Sequence, residues 1–270
     1  MSTGLKIREE TRRRRGFLLG AASVALIIGA WWGLTWGTQV ETRVLNPQIL
    51  PNPWEVLLSF QGLYRDRDLM TSIAYSLLRT TVGFLIAAAV AVPLGVLMAA
   101  FTKVREFLKP LTTISGFIPI AALVPLSLSW FGLEERQKFL FLALATFVML
   151  LPLVVASLDR VDEVYLQTAY TLGAGPWQTI SEVLVPVAVS DIYDDLCLTY
   201  GIGWGYIILA ELIDAKFGLG HLILVSQRRG MNEDVYAVLI VIVAISFLIN
   251  WTLRSVGGWL FPYREAGAGR

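Results

Sequence analysis

Ionisable side chains inside apolar stretches are the residues of this sequence best placed to do chemistry. Arg79 stands within Ser76–Gly95, SLLRTTVGFLIAAAVAVPLG, and Glu211 lies near the end of Val187–Ile213. A charge at the centre of a bilayer costs about 3 kcal/mol or more, so each is expected to face a partner or a water-filled path. Asp191, Asp194 and Asp195 make a second group on one helical face. Three carboxylates so close repel in an apolar medium. They are expected on an exposed turn where a helix begins, since acids suit a helix N-terminus. The other reading of their sign is that they weaken anion binding and favour release.

A third group is the moderately polar stretch Tyr165–Pro186, YLQTAYTLGAGPWQTISEVLVP, between two long apolar runs. Val164, Tyr165, Tyr170, Leu172 and Trp177 are separated there by Gln, Thr and Gly. A short amphipathic helix with that mix can set an apolar knob into a groove on another protein. The plain alternative is a polar loop between spans. Gly173 permits a sharp turn or a close backbone approach, and Pro176 suits the first turn of a following helix.

Other chemistry is poorly supplied. One cysteine, Cys197, and one histidine, His221, make neither an internal disulfide nor a zinc site. No G-x-x-x-x-G-K loop is present, so no nucleotide is expected on this chain. Gly201, Gly203 and Gly205 follow no strand and read as small residues permitting close helix packing. A net charge of +1 offers no field for nucleic acid.

These residues must be positioned by membrane helices. Of 270 residues, 56% are hydrophobic and 16% charged, where a soluble globule carries about 25% charged residues. Roughly 20 apolar residues cross the hydrocarbon. Six spans are expected: Phe17–Trp36, Ile73–Phe101, Leu111–Phe131, Phe139–Leu158, Val187–Ile213 and Val235–Phe261. The third is interrupted by Pro119 and Pro125, and the fifth carries four carboxylates. Segments on the N-terminal side of the membrane hold thirteen Lys and Arg, including Lys6, Arg8, Arg12 and Arg270, against eight on the other side. That bias places both termini and Tyr165–Pro186 in the cytoplasm. Arg79 and Glu211 then fall toward the outer side and are candidates for a pair, with snorkelling of Arg79 as the alternative. Arg14-Arg15-Gly16-Phe17-Leu18 also fits a twin-arginine export signal. The long apolar run, its Trp31, Trp32 and Trp36 flank and the lack of an A-x-A site favour a retained helix. The loop from Asp214 to Asp234 contains HLILVS, too short to span and expected at the interface or folded back.

The chain resembles the membrane subunit of binding-protein-dependent ABC importers, of the nitrate, sulfonate, taurine and bicarbonate type. The family's cytoplasmic signature is E-A-A, three residues, G, nine residues, I-x-L-P. Here Gln167, Thr168 and Ala169 stand at the E-A-A positions, with Gly173 and Pro186 at their places, and a glutamine replaces the leading glutamate. Leu50-Pro51-Asn52-Pro53, Ser76–Gly95, Ile118–Lys138, Ala210-Glu211 and Gly218-Leu219-Gly220 also resemble family segments. The resemblance implies an all-α, polytopic membrane fold of six transmembrane helices, the type I importer permease bundle. It implies a basic N-terminus over 1–16, a permease domain over 17–261 with its coupling segment at 161–186, and a tail over 262–270.

It also implies partners: a second permease copy, two cytoplasmic ATP-binding subunits, an extracytoplasmic solute-binding protein and membrane lipid. The cofactors ATP and Mg would sit on the partner ATPase, none on this chain, which would not be an enzyme. Coupling to the ATPase would fall on Gln167, Thr168, Ala169, Gly173 and Pro186. Arg79, Glu211, Asp191, Asp194 and Asp195 would line a path or gate, or lock helices. A polytopic membrane enzyme built on the three aspartates and a gradient-driven secondary transporter remain as competing expectations.

Overall fold

The computed structural model describes residues 13–37, 43, 45–213 and 215–264. Most of the basic N-terminus expected over 1–16 and of the tail expected over 262–270 lies outside them, with Lys6, Arg8, Arg12 and Arg270. Among the described residues the secondary structure is helical throughout. Four helices are long and apolar enough to cross a membrane. They are α1 (Arg13–Leu34), α3 (Leu69–Ala100), α6 (Glu135–Asp159) and α11 (Asn232–Leu260). They correspond to the first, second, fourth and sixth expected spans.

The third expected span is not one helix. It divides into α4 (Thr102–Ser115) and a short run, Ile120–Phe131, bent against it by 89°. The latter is a 3₁₀ turn, Ile120–Ala122, followed by α5 (Leu123–Phe131). Gly116 ends α4 and Pro119 caps the turn. A residue before proline is pushed out of the helical region, so the break falls at Ile118-Pro119.

The fifth span, α9 (Val185–Glu211), is excluded from the apolar set by its carboxylates but buries twelve residues in the bundle. It begins well before the membrane-like stretch. α8 (Pro176–Thr179), a π-turn over Ile180–Leu184 and α9 follow one another without interruption. Pro186 accounts for the π-turn. Its ring has no N–H for the Glu182 carbonyl and clashes with it in α-helical geometry, and the wider turn relieves both.

α3 and α6 lie side by side, running the same way, at the centre. A Cβ on Gly83 would stand 2.7 Å from Leu142 Cβ, and one on Gly95 would stand 2.6 Å from Val154 Cγ1. The same offset at both contacts fixes a parallel register, and glycine allows the backbones this approach. The close packing expected at Gly201, Gly203 and Gly205 is found at Gly203 alone, which is buried against α3 and α6 in ordinary contact. Gly203 alone has neighbours, Thr146 and Thr80 at 3.8 Å, and the other two meet nothing within 4 Å.

Two apolar cores stack along this axis. One joins Leu69, Phe141, Leu142, Trp204, Ile207, Leu219 and Val238. The other joins Ala91, Met98, Leu151, Val154 and Leu158 to Ile180, Leu184, Ala188 and Ile192. The last four recur every fourth residue, one face of a helix, so burial ties the start of the long helix to α3 and α6.

Each core closes one end of the bundle. At the far end sit α2 (Pro53–Asp66) and α10 (Leu219–Arg228), the latter folded back against α9 and α11. Asn52 caps α2 through a capping box with Glu55, and Pro53 opens its first turn. At the opposite, connector end sits α7 (Glu163–Thr171).

Candidate functional site

The connector is built by a helix stop. α7 starts at Asp162, whose side chain accepts from the Val164 N–H. It ends in a Schellman motif: Gly173 N–H donates to the Tyr170 carbonyl and Ala174 N–H to the Ala169 carbonyl, both at 3.0 Å. Gly173 holds φ +89°, a left-handed conformation that costs other residues about 1–2 kcal/mol. A Cβ there would meet nothing within 4 Å, so the backbone and not space requires glycine.

The sequence-picked residues divide by role. Gln167 and Thr168 are exposed, with the Thr168 hydroxyl donating to the Val164 carbonyl at 2.6 Å. Ala169 is buried under the turn. Pro186 is exposed and shapes the π-turn. Around them Val164, Tyr165, Leu172 and Trp177 stand in solvent, Leu172 at 83%. Several of these line a groove of about 660 Å³ between α7 and the start of the long helix. Apolar side chains held out on a capped turn form a surface suited to a partner's groove.

The far end holds the opposite kind of site. Arg79 on α3 and Glu211 on α9 are fully buried and joined at 2.7 Å, Nη1 to Oε1. The Arg79 Nη1 also donates to the Phe217 carbonyl at 2.7 Å. The Nε and Nη2 edge of Arg79 grips both oxygens of Glu135, at 2.7 and 2.5 Å. This is the bidentate geometry that makes arginine–carboxylate pairs strong. The Ser76 hydroxyl donates to Glu211 at 2.8 Å, and Gly220 N–H donates to Glu211 Oε2 at 2.9 Å. Ser76 Oγ in turn accepts from Leu219 N–H at 2.9 Å.

Gly218-Leu219-Gly220 is shaped around this carboxylate. A Cβ on Gly218, at φ +137°, would fall 2.4 Å from the Glu211 carboxyl carbon, and one on Gly220 would fall 2.8 Å from Glu211 Cβ. Arg79 therefore does not snorkel. It is satisfied inside, between α3, α6 and the α9–α10 turn.

Glu135 is the member that sequence reasoning missed. It was counted with the turn before a span beginning at Phe139. The helix register explains its place: Glu135 stands four residues before Phe139, as Arg79 stands four before Gly83, and Gly83 packs on Phe139, a contact that only the structure reveals.

The aspartates are not on an exposed turn at a helix start. The helix begins fifteen residues before Asp191, so they cap nothing. Asp195 is buried and accepts from the Ser157 hydroxyl of α6 at 2.5 Å. Asp191 lies 3.8 Å from Arg160, and Asp194 is exposed with interactions of its own. Among the described residues no group of three or more His, Cys, Asp or Glu is placed to hold a metal ion.

The chain is thus a polytopic helical bundle with an exposed, capped connector at one end and a charge cluster around buried Arg79 and Glu211 at the other. Residues 91–263 match the family model described as binding-protein-dependent transport system inner membrane component. The chain belongs to this family and is a multi-pass permease subunit of an ABC importer. Membership brings an ATPase and a solute-binding protein as partners. The taurine transport system permease protein TauC of Escherichia coli K12 is 30% identical over 254 residues, 92% of this chain and 90% of that protein. A putative aliphatic sulfonates transport permease protein, SsuC of Bacillus subtilis 168, is 29% identical, covering 96% of this chain and 92% of the relative. The nitrate import permease protein NrtB of Leptolyngbya laminosa is 24% identical, covering 90% and 87%. The fold is that of the methionine ABC transporter MetNI in inward-facing form, with TM-score 0.63 and 20% identity over 70% of this chain and 94% of that one.

Proposed function

We propose that this permease imports a small anionic solute of the sulfonate, taurine, nitrate or bicarbonate class by alternating access. It would work as a homodimer above two ATP-binding subunits that carry ATP and Mg, with the solute-binding protein at the far end. Both termini and the connector would be cytoplasmic. Three similar permeases named for anionic or zwitterionic solutes support the substrate class.

The single observation that carries the mechanism is the capped connector joined to a continuous long helix. The ATPase would be touched by Val164, Tyr165, Gln167, Thr168, Leu172 and Trp177. Ala169, Gly173 and Pro186 shape the backbone that presents them. Arg79, Glu211 and Glu135 would hold α3, α6 and α9 together at the far end as part of the gate. Asp191 and Asp195 fasten the long helix to the end of α6, and in this reading they steady it rather than line the exit.

Co-purification of the ATPase tests the connector. Leu172→Asp with Trp177→Asp is expected to abolish capture of the ATPase and ATP-driven uptake while leaving the melting temperature within a few degrees. Full capture by that variant would refute the assignment. Uptake of labelled taurine, nitrate and bicarbonate by the reconstituted importer tests the substrate class, and transport of a neutral or cationic solute in their place would refute it.

A further inference from the structure

The far end of the bundle carries a hollow that the charge cluster does not use up. Leu133, Glu134, Glu135, Arg136, Lys138 and Lys216 surround about 460 Å³, within the ~300–1,000 Å³ usual for small-molecule sites. It draws on the turn before α6, the first turn of α6 and the loop after α9, the elements that also hold Arg79 and Glu211. Lys138 is buried, while Arg136 and Lys216 reach solvent.

The charges are unevenly matched. Glu135 is gripped on both oxygens by Arg79 and is also acted on by Lys138, while Arg79 answers Glu211 too, so these four charges balance among themselves. Arg136 and Lys216 then face the hollow with Glu134 as the remaining acid among its described lining residues. The cavity at the connector end has the opposite sign. There Arg105 stands with Glu106, Asp159 and Glu163, and it is already bonded to Asp159.

We propose that the basic hollow at the far end is the reception site for the anionic head of the transported solute as it leaves the solute-binding protein. A concave site lined by Arg136 and Lys216 suits a small oxyanion better than a flat protein face does. Fixed positive charge there raises the local anion concentration, and the acidic connector-end cavity does the reverse. The guanidinium and ammonium donors match sulfonate, nitrate or bicarbonate oxygens. The proposal rests on the anion-import reading above.

The test uses the permease–ATPase complex in lipid nanodiscs with methanesulfonate as probe, followed by NMR line broadening. Wild type is expected to bind it, and Arg136→Gln with Lys216→Gln to weaken binding by about tenfold, or ~1.4 kcal/mol. Lys103→Gln with Lys109→Gln, on α4 at the other end, is the control and should bind as wild type. Uptake with saturating binding protein should fall in the first variant only. Equal probe binding by the first variant and wild type would overturn the proposal. So would a loss of affinity for the binding protein with probe binding intact, which would make the hollow a docking surface. An importer that moves only uncharged solutes would overturn the functional reading and this proposal with it, whereas anion uptake unchanged in the Arg136→Gln with Lys216→Gln variant would overturn this proposal alone.

Discussion

The connector and the charge cluster both depend on a glycine of positive φ, and for different reasons. Gly173 turns the chain in open space, with nothing near its Cα that a side chain would strike. Gly218 turns it directly over a buried carboxylate, where a methyl group would overlap Glu211. The first glycine shapes a surface and the second seals an interior. Exposure explains the contrast: in the proposed reading a partner must reach the connector, whereas water must be kept from an arginine bonded to two glutamates. Substitutions at the far end should therefore appear as lost stability, and substitutions at the connector as lost coupling in a stable protein.

The largest expected effect is at Arg79. Arg79→Met leaves Glu211 buried without its counter-ion and should destabilise the purified protein by about 3–5 kcal/mol in thermal unfolding. Arg79→Met with Glu211→Met should recover much of the loss, because the uncompensated charge is gone. A double variant no more stable than the single one would show that the cluster does not act through charge pairing.

Next is the pair of glycines. Gly218→Ala combines overlap with Glu211 and an unfavourable backbone, for about 2–3 kcal/mol. Gly173→Ala should cost about 1 kcal/mol locally and barely move the melting temperature, while transport-coupled ATP hydrolysis falls severalfold. Equal melting temperatures for the two would break the contrast between surface and seal.

The smallest effect is on α2 at the far end. Arg43 lies 2.7 Å from Glu55, whose other contact is the Asn52 N–H of the cap. The Arg43 hydrogen bond, aided by the cap N–H, holds the Glu55 carboxyl below the usual carboxylate range, against the opposing pull of partial burial. A carboxyl lowered on folding adds stability above its unfolded value and loses it as pH falls through the folded value. The advantage of wild type over Glu55→Gln should therefore be present at neutral pH and vanish in acid. Melting curves across that range check it, and a gap that widens in acid would contradict the pairing.

Legibility from sequence followed the same divide. Gly173 was readable because its distance from Pro186 is a local pattern. The Arg79–Glu211 pair followed from span direction, since two charges near the same face of a membrane seek each other. Glu135 was hidden because a helix start was placed four residues late, which moved the half-exposed partner of a buried arginine into a loop. The three aspartates were misplaced because the fifth span was started at Val187, when the helix that carries them already begins at Pro176 and runs on through the π-turn. The glycine run in α9 was read for close packing that is found there at Gly203 alone, while the tightest approaches are at Gly83 and Gly95 on another helix. Small residues reveal that something can come close, and the sequence alone does not say from which side.

The uninterrupted run from Pro176 to Glu211 puts the connector and the sealed carboxylate on a single rod, roughly 50 Å long at 1.5 Å per residue. Swinging such a rod about either tip moves the other by about 1 Å per degree. A small angular stroke at one membrane face would thus reach the opposite face undiminished, except at Ile180–Leu184, the one stretch loosely enough wound to take up slack.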